Sequence, residues 1–250
     1  MKVALITGGS RGLGKSGALA LAKQDTGVVI TYLNNEQAAQ AVVSEIQTLG
    51  GKAVALQLDT RDFAAYPAFI TELKQVLKNE FASEGVDYLL NNAGTGWHQT
   101  FSETTMDAFD DLYNVHLKAP YFFTQALLPL LNQSAHVLNV SSGLTRFCQV
   151  GSSAYAIMKG GVEVMSRYMA KELGERGISV NTLAPGAIAT DFSEGRVRDN
   201  PQINQFISSV TSKGRVGEAD DIGAVIAMLL SDNSYWVTGQ RIEASGGMFL

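Results

Sequence analysis

The feature that most restricts this chain is an alternation of short β-branched or apolar runs with long stretches of helical periodicity. The runs are Val3 to Thr7, Val28 to Tyr32, Ala53 to Leu58, Val86 to Asn91, His136 to Ser141, Ile178 to Leu183 and Gln240 to Glu243. Helical stretches fall near 13–24, 35–49, 62–82, 105–132, 153–176 and 219–231. Strands that alternate with helices are joined by crossovers, and crossovers place helices on both faces of a parallel sheet. Continuous apolar runs such as Val3-Ala4-Leu5-Ile6 and Tyr88-Leu89-Leu90 agree, because a strand covered on both faces has no solvent side. The expectation is an α/β chain whose seven strands form one doubly wound parallel sheet.

With 250 residues, 46% of them hydrophobic and 17% charged, the chain has apolar material for a large core. No linker or repeat divides it, so 1–250 reads as a single domain. One stretch breaks the rhythm. Residues 190–217 are polar and include Pro201, and they lie where strand ends should gather, so they read as a substrate lid; a surface helical pair is the plainer alternative.

A formal charge of −5 without any Lys/Arg-rich run argues against nucleic acid and anionic lipid as partners. No stretch approaches the roughly 18 apolar residues that a membrane span requires. His98, His116 and His136 lack metal-ligand spacing, so no metal site is expected. A single cysteine, Cys148, and a start that turns polar at Thr7 point to the cytoplasm.

The first strand runs directly into Thr7-Gly8-Gly9-Ser10-Arg11-Gly12-Leu13-Gly14-Lys15, followed by a helix. A pyrophosphate can approach only a backbone free of Cβ atoms, and the next helix offers exposed amides and a positive dipole end. Gly8, Gly12 and Gly14 supply such a backbone. Their spacing is not Gly-x-Gly-x-x-Gly, and the rival reading is a turn that only lets the helix pack on the sheet. The end of the second strand, Tyr32-Leu33-Asn34-Asn35, lacks the acid that would hold a ribose 2′-hydroxyl. With Arg11 in the glycine loop to meet a 2′-phosphate, this favours NADP(H) over NAD(H), although Glu36 stands nearby and Arg11 is alternatively a solvated side chain.

Tyr155 and Lys159 are four residues apart on a helical stretch and share one face. A neighbouring ammonium stabilises phenolate, which would let the tyrosine exchange a proton with a carbonyl or hydroxyl oxygen. That spacing alone also occurs on solvated helices. Upstream, a strand ends in Ser141-Ser142; alternation sends the two side chains to opposite faces, so only one can converge with Tyr155, and periodicity does not choose between them.

Taken together, Thr7-Gly-x-x-x-Gly12-x-Gly14, Asn91-Asn92-Ala93-Gly94, Asn114, Ser142, Tyr155-x-x-x-Lys159 and Pro185-Gly186 resemble the short-chain dehydrogenases/reductases over essentially the whole chain. The resemblance implies a Rossmann-type fold and hydride transfer between NADP(H) and a carbonyl or secondary alcohol, in the reductive direction. It implies Tyr155 as general acid/base, Lys159 on the nicotinamide ribose and lowering the tyrosine pKa, Ser142 rather than Ser141 on the substrate oxygen, and Asn114 anchoring a proton-relay water. It further implies cofactor contacts from Gly8, Ser10, Arg11, Gly12, Leu13, Gly14, Tyr32, Asp59 near the adenine, Asn91, Ala93, Gly94, Pro185, Gly186, Ile188 and Thr190 near the carboxamide. A homotetramer or homodimer through the helices near 105–132 and 153–176 is also implied, with Met248-Phe249-Leu250 at another interface.

Members that modify nucleotide sugars are usually longer, and divergent enoyl reductases separate Tyr and Lys by six residues; here three intervene. Reductases of 3-oxoacyl groups on acyl carrier protein, an acidic partner, are the alternative. Arg176 stands in a suitable place for such a partner, but Leu130-Leu131-Asn132-Gln133-Ser134-Ala135 brings no basic residue, which favours a small carbonyl substrate. Trp97, Leu144, Phe147, Val150, Ile188 and Phe192 are candidates for an apolar pocket wall. A non-catalytic NADP(H)-sensing protein is the rival from another class, and retention of both Tyr155 and Lys159 argues against it.

Overall fold

Successive residues of the first strand, β1 (Val3–Ile6), are all fully buried yet belong to two different cores. Val3 and Leu5 join one cluster and Ala4 and Ile6 the other, as the two-residue strand period requires when both faces are covered. A computed structural model describes all residues, Met1–Leu250. The remaining strands are β2 (Gly27–Tyr32), β3 (Ala53–Gln57), β4 (Val86–Asn91), β5 (Leu131–Val140), β6 (Ser179–Pro185) and β7 (Arg241–Ala244). They form one parallel sheet of seven strands in the order β3-β2-β1-β4-β5-β6-β7. The order reverses between β1 and β4, and the crevice beyond the carboxyl ends of those strands is where such sheets take ligands.

One face is covered by α1 (Gly12–Ala22), α2 (Glu36–Thr48) and, late in the chain, Ala219–Leu229; the other by α3 (Tyr66–Phe81), Ala119–Leu127 and Ser153–Leu173. The stretch expected as one helix over 105–132 is instead two helices, α4 (Met106–Tyr113) and α5 (Ala119–Leu127), joined by a π turn over Asn114–Lys118. Pro120 explains the break. It has no N–H to give to the carbonyl four residues back, and the Ala119 amide reaches five residues back to Asn114 O. β5 accordingly begins at Leu131, not His136: Leu131 pairs with Val86 and His136 with Tyr88, and a bulge absorbs the residues between them.

The helix expected over 153–176 is α6 (Ser153–Leu173) followed by one tighter turn, Gly174–Arg176. Residues 190–217 contain the turn Phe192–Gly195 and helices α7 (Arg196–Asp199) and α8 (Pro201–Ser209), ahead of α9 (Ala219–Leu229). Asn200 caps α8 by accepting from the Gln202 and Ile203 amides, and Pro201 sits at its first position, where a missing N–H costs nothing. No helix is long and apolar enough to cross a membrane.

Candidate active site

The loop after β1 is tied across the switch point to the loop after β4. Thr7 Oγ1 accepts from the Asn92 and Ala93 amides, both at 3.0 Å, and Asn92 Nδ2 donates to the carbonyls of Thr7 and Gly8, also at 3.0 Å. Gly8 and Gly12 are left-handed (φ 65° and 55°). A Cβ at Gly14 would lie 2.6 Å from Asn92 Nδ2, so bare backbone is a steric requirement of this cradle. No side chain caps the first turn of α1 and no acid lies in it, which leaves its amides and dipole facing the crevice and fits a pyrophosphate. Arg11 lies exposed on this loop, and Ser10 and Leu13 are half-buried, Leu13 packing against the core.

At the adenosine end the structure distributes the expected residues differently. Tyr32 is buried in the core cluster that α1 and α2 share. The Asp59 carboxylate is gripped by Arg61 Nε at 3.1 Å and Nη2 at 3.0 Å, which holds it below the usual carboxylate range. Asn91 is buried at the end of β4 and lines the cavity beside Thr7, Ala93 and Lys159. Its Nδ2 donates to Thr124 Oγ1 at 2.9 Å and Asn139 Oδ1 at 2.7 Å, and Asn139 continues to Ser166, a buried polar ladder joining β4, β5, α5 and α6. Pro185 ends β6; Gly186 passes so near β7 that a Cβ would fall 2.8 Å from Ser245 Cα. Ile188 bridges to Gly217, and the buried Thr190 lies across from Gly12.

β5 and α6 bring the chemistry-bearing side chains together. Ser141 Oγ turns away, donating to Glu163 Oε1 at 2.8 Å and to Lys159 O at 3.2 Å. Ser142 faces the other way: its Oγ accepts from the Leu144 amide, and it stands beside the Tyr155 phenol. Lys159, almost wholly buried, donates to Val140 O at 2.8 Å and stands 5.6 Å from the centre of the Tyr155 ring.

Burial raises the Tyr155 phenol well above its ordinary range, with the neighbouring Ser142 hydroxyl acting in the opposite direction. Burial also lowers Lys159 to about 7. Burial thus discourages charge on both the phenol and the lysine.

His116, on the π turn, was not singled out by sequence. Its ring meets Tyr155 edge-on at 5.0 Å, its Nε2 lies 3.0 Å from Thr95 O, and its buried Nδ1 has no partner. Burial and the nearby Lys159 push its pKa well below the ordinary value, so it is neutral. A lone histidine in an amphipathic stretch gives no sign of this; the break that places it could have been inferred from Pro120. Asn114, half-buried, begins the same turn, which packs against α6.

The sequence model of the family described as enoyl-(acyl carrier protein) reductase matches residues 8–249. A 3-oxoacyl-[acyl-carrier-protein] reductase of Staphylococcus epidermidis is 33% identical over 252 residues, spanning 100% of this chain and 99% of that protein. The chain belongs to the short-chain dehydrogenase/reductase family. An uncharacterized oxidoreductase of Methylorubrum extorquens is also 33% identical, over 99% of this chain and 97% of that one. Among solved structures, a promiscuous reductase that catalyses keto-reduction at C1 during lugdunomycin biosynthesis superposes with a TM-score of 0.94 at 35% identity, covering 100% of this chain and 98% of that one. The angucycline C-6 ketoreductase LanV with bound NADP gives 0.94 at 32% identity, covering 99% and 95%. The protein is therefore an oxidoreductase of this family.

In this short-chain dehydrogenase/reductase only part of the expected pocket wall gathers at Tyr155. Trp97 and Leu144 pack into its cluster and Phe192 stands 6.2 Å away, ring to ring. Phe147 turns instead to Phe249 at 4.7 Å, Val150 and Cys148 are exposed, and Ile188 packs on the core. Arg176 is engaged within the chain. Its guanidinium donates to Leu128 O at 3.0 Å and to Leu131 O, closing the end of α5.

Proposed function

We propose that this protein is an NADP(H)-dependent reductase of small ketones or aldehydes, with Ser142, Tyr155 and Lys159 as its catalytic residues. The observation that carries the reading is the convergence of the Ser142 hydroxyl, the Tyr155 phenol and the Lys159 ammonium beside a glycine cradle that a Cβ would fill.

Gly8, Gly12 and Gly14 with the α1 amides would hold the pyrophosphate, Arg11 the 2′-phosphate, Lys159 the nicotinamide ribose and Thr190 the carboxamide. When bound, NADPH supplies the hydride. Ser142 donates a hydrogen bond to the substrate oxygen, and Tyr155 gives that oxygen its proton as charge develops there. A phenol kept protonated by burial suits the reductive direction. Asn114, on the turn packed against α6, would hold the water that restores the proton. The absence of an acid at Leu33-Asn34-Asn35 and the NADP held by the ketoreductase LanV support the choice of nucleotide.

Two further features fit a free small substrate. Arg176 is committed to the end of α5, which removes the one basic residue placed for an acidic carrier. Residues 190–217 serve as a lid, with Phe192 over Tyr155. The chain acts as a homo-oligomer through the exposed faces of α4, α5 and α6.

The test is oxidation of NADPH, followed by absorbance, against a panel of diketones, aldehydes, cyclic ketones and 3-oxoacyl thioesters, run beside NADH and the Tyr155→Phe variant. NADPH-preferring turnover that disappears in Tyr155→Phe, with NADPH affinity kept, is the expected result. Full activity in that variant would remove Tyr155 from the mechanism. Tight NADPH binding without turnover of any substrate would favour a sensing role.

A further inference from the structure

A chain of four charged side chains runs beneath Ser142 and leads away from it. Glu163, one turn past Lys159 on α6, accepts from Ser141 Oγ at 2.8 Å, Thr145 Oγ1 at 2.7 Å and Arg241 Nε at 2.8 Å. Arg241, on β7, also donates to the Ser142 carbonyl at 3.4 Å and to Glu243 at 2.9 Å. Glu243 then takes Arg146 Nε at 2.8 Å and Nη2 at 2.6 Å, a two-pronged contact that lowers its pKa to about 2. Arg146 follows the turn that Ser142 opens, and its remaining N–H groups reach Met248 O at 2.5 Å and Phe249 O at 3.2 Å.

The segment that receives them is itself stitched to residues 210–213. Ser212 N donates to Gly247 O at 3.2 Å, Lys213 N to Gly246 O at 3.1 Å and Phe249 N to Val210 O at 2.8 Å. Met248 is buried with Ile207 of α8, and Phe249 stacks on Phe147, the residue next to Arg146. Arg146 therefore spans a direct path of polar contacts from the serine loop to the segment stitched to the residues after α8, beside a longer one that runs through Arg241, Glu243 and Ser245 Oγ to the Met248 amide.

We propose that Arg146 is a positioning residue that ties the 190–217 segment to Ser142, holding the substrate cover and the serine hydroxyl in one mutual arrangement. This rests on the reading of those two parts as substrate-handling groups. A planar guanidinium engaged by a carboxylate on one side and two carbonyls on the other fixes distance and angle together, which a flexible ammonium does not. Glu243, partly shielded from water, keeps that contact from the full screening of an exposed pair.

The test compares Arg146→Met and Arg146→Lys with the wild-type chain by ketone kinetics, NADPH binding and amide hydrogen exchange. Losing a charge-assisted fork is expected to raise KM for the ketone about tenfold at unchanged NADPH Kd. Exchange should rise together in Gly143–Arg146 and Val210–Lys213 but not in β1 or β2. Arg146→Lys, which keeps the charge and loses the fork, should resemble Arg146→Met. Wild-type KM in Arg146→Met, loosening of only one of the two segments, or loosening that extends into β1 and β2 overturns the proposal. If Arg146→Met does not fold, Glu243→Gln is read by the same criteria. If the wild-type chain turns over no carbonyl, the functional reading fails by itself, and the paired exchange response still decides whether Arg146 makes the tie.

Discussion

Ser141 and Ser142 have the same side chain on adjacent positions, and only their surroundings separate them. Alternation along β5 dictates that one faces away from Tyr155, and Glu163 settles which, by drawing the Ser141 hydroxyl to 2.8 Å. Ser142→Ala is expected to lower kcat/KM by about two orders of magnitude, the usual cost of one donor to a developing oxyanion. Ser141→Ala should instead lower the thermal midpoint and leave kcat/KM within a few-fold, because it strips a donor from the partly buried Glu163 carboxylate. Equal kinetic losses in both variants would contradict the assignment. This choice was not legible from spacing within the strand, since Glu163 lies a helix away in sequence; the family resemblance made it. Lys159 carries a second residue-scale prediction. Its pKa falls from 10.5 in the unfolded chain to about 7 when folded, so between those values the unfolded state binds more protons and the wild-type chain gains stability as pH rises. Lys159→Met removes the buried charge. Its thermal midpoint relative to wild type should be most favourable at or below pH 7 and decline toward pH 10, as read by calorimetry across that range. A difference independent of pH would mean that Lys159 stays charged in the fold.

At the scale of elements, the strands were legible because each is a short apolar run bounded by turn residues, and most observed boundaries fall within a few residues of the expected ones. The helix over 105–132 was not, because its hydrophobic period continues through a break that only Pro120 signals. That break matters for the site, since the π turn carries Asn114 and brings His116 against Tyr155. A contact between two loops was equally hidden. Gly96, after the Asn91–Gly94 motif, lies so close to the turn before α7 that a Cβ would fall 2.8 Å from Ser193 Cα. Ser193, Glu194 and Gly195 are all left-handed there, so the turn has little freedom to retreat. Gly96→Ala should therefore displace the Phe192 side of the pocket. A several-fold rise in KM for the ketone is expected, with NADPH affinity unchanged because the glycine cradle is untouched. Steady-state kinetics beside NADPH fluorescence titration check this; a loss of NADPH binding instead would place Gly96 in the cofactor site.

At the scale of the whole molecule, the parallel sheet covered on both faces follows from strands that alternate with helices, which is why that much of the architecture could be read from alternation, while the strand order could not. What alternation does not explain is the outer surface of the long helices. On α6, Ile157, Val164 and Tyr168 are exposed along one face at helical spacing, with Tyr168 67% accessible. On α4 and α5, Met106, Phe109, Tyr121 and Phe122 are exposed as well. A soluble monomer seldom presents that many large apolar side chains on neighbouring helices, and a second copy of the same face would cover them by two-fold packing. Tyr155 packs with Leu112, Ala154 and Met158 on the inner side of α6, so association on the outer face would brace that helix without reaching this cluster. Light scattering on the wild-type chain is expected to give a dimer or tetramer. Tyr168→Glu places a charge at the most exposed position of the α6 stripe and, if two copies meet there, must either desolvate it or separate, so the mass should fall to a smaller species and the thermal midpoint lose the concentration dependence expected of the assembled wild-type chain. An unchanged assembly in Tyr168→Glu, or a monomeric wild-type chain, would mean that this face is not where copies join.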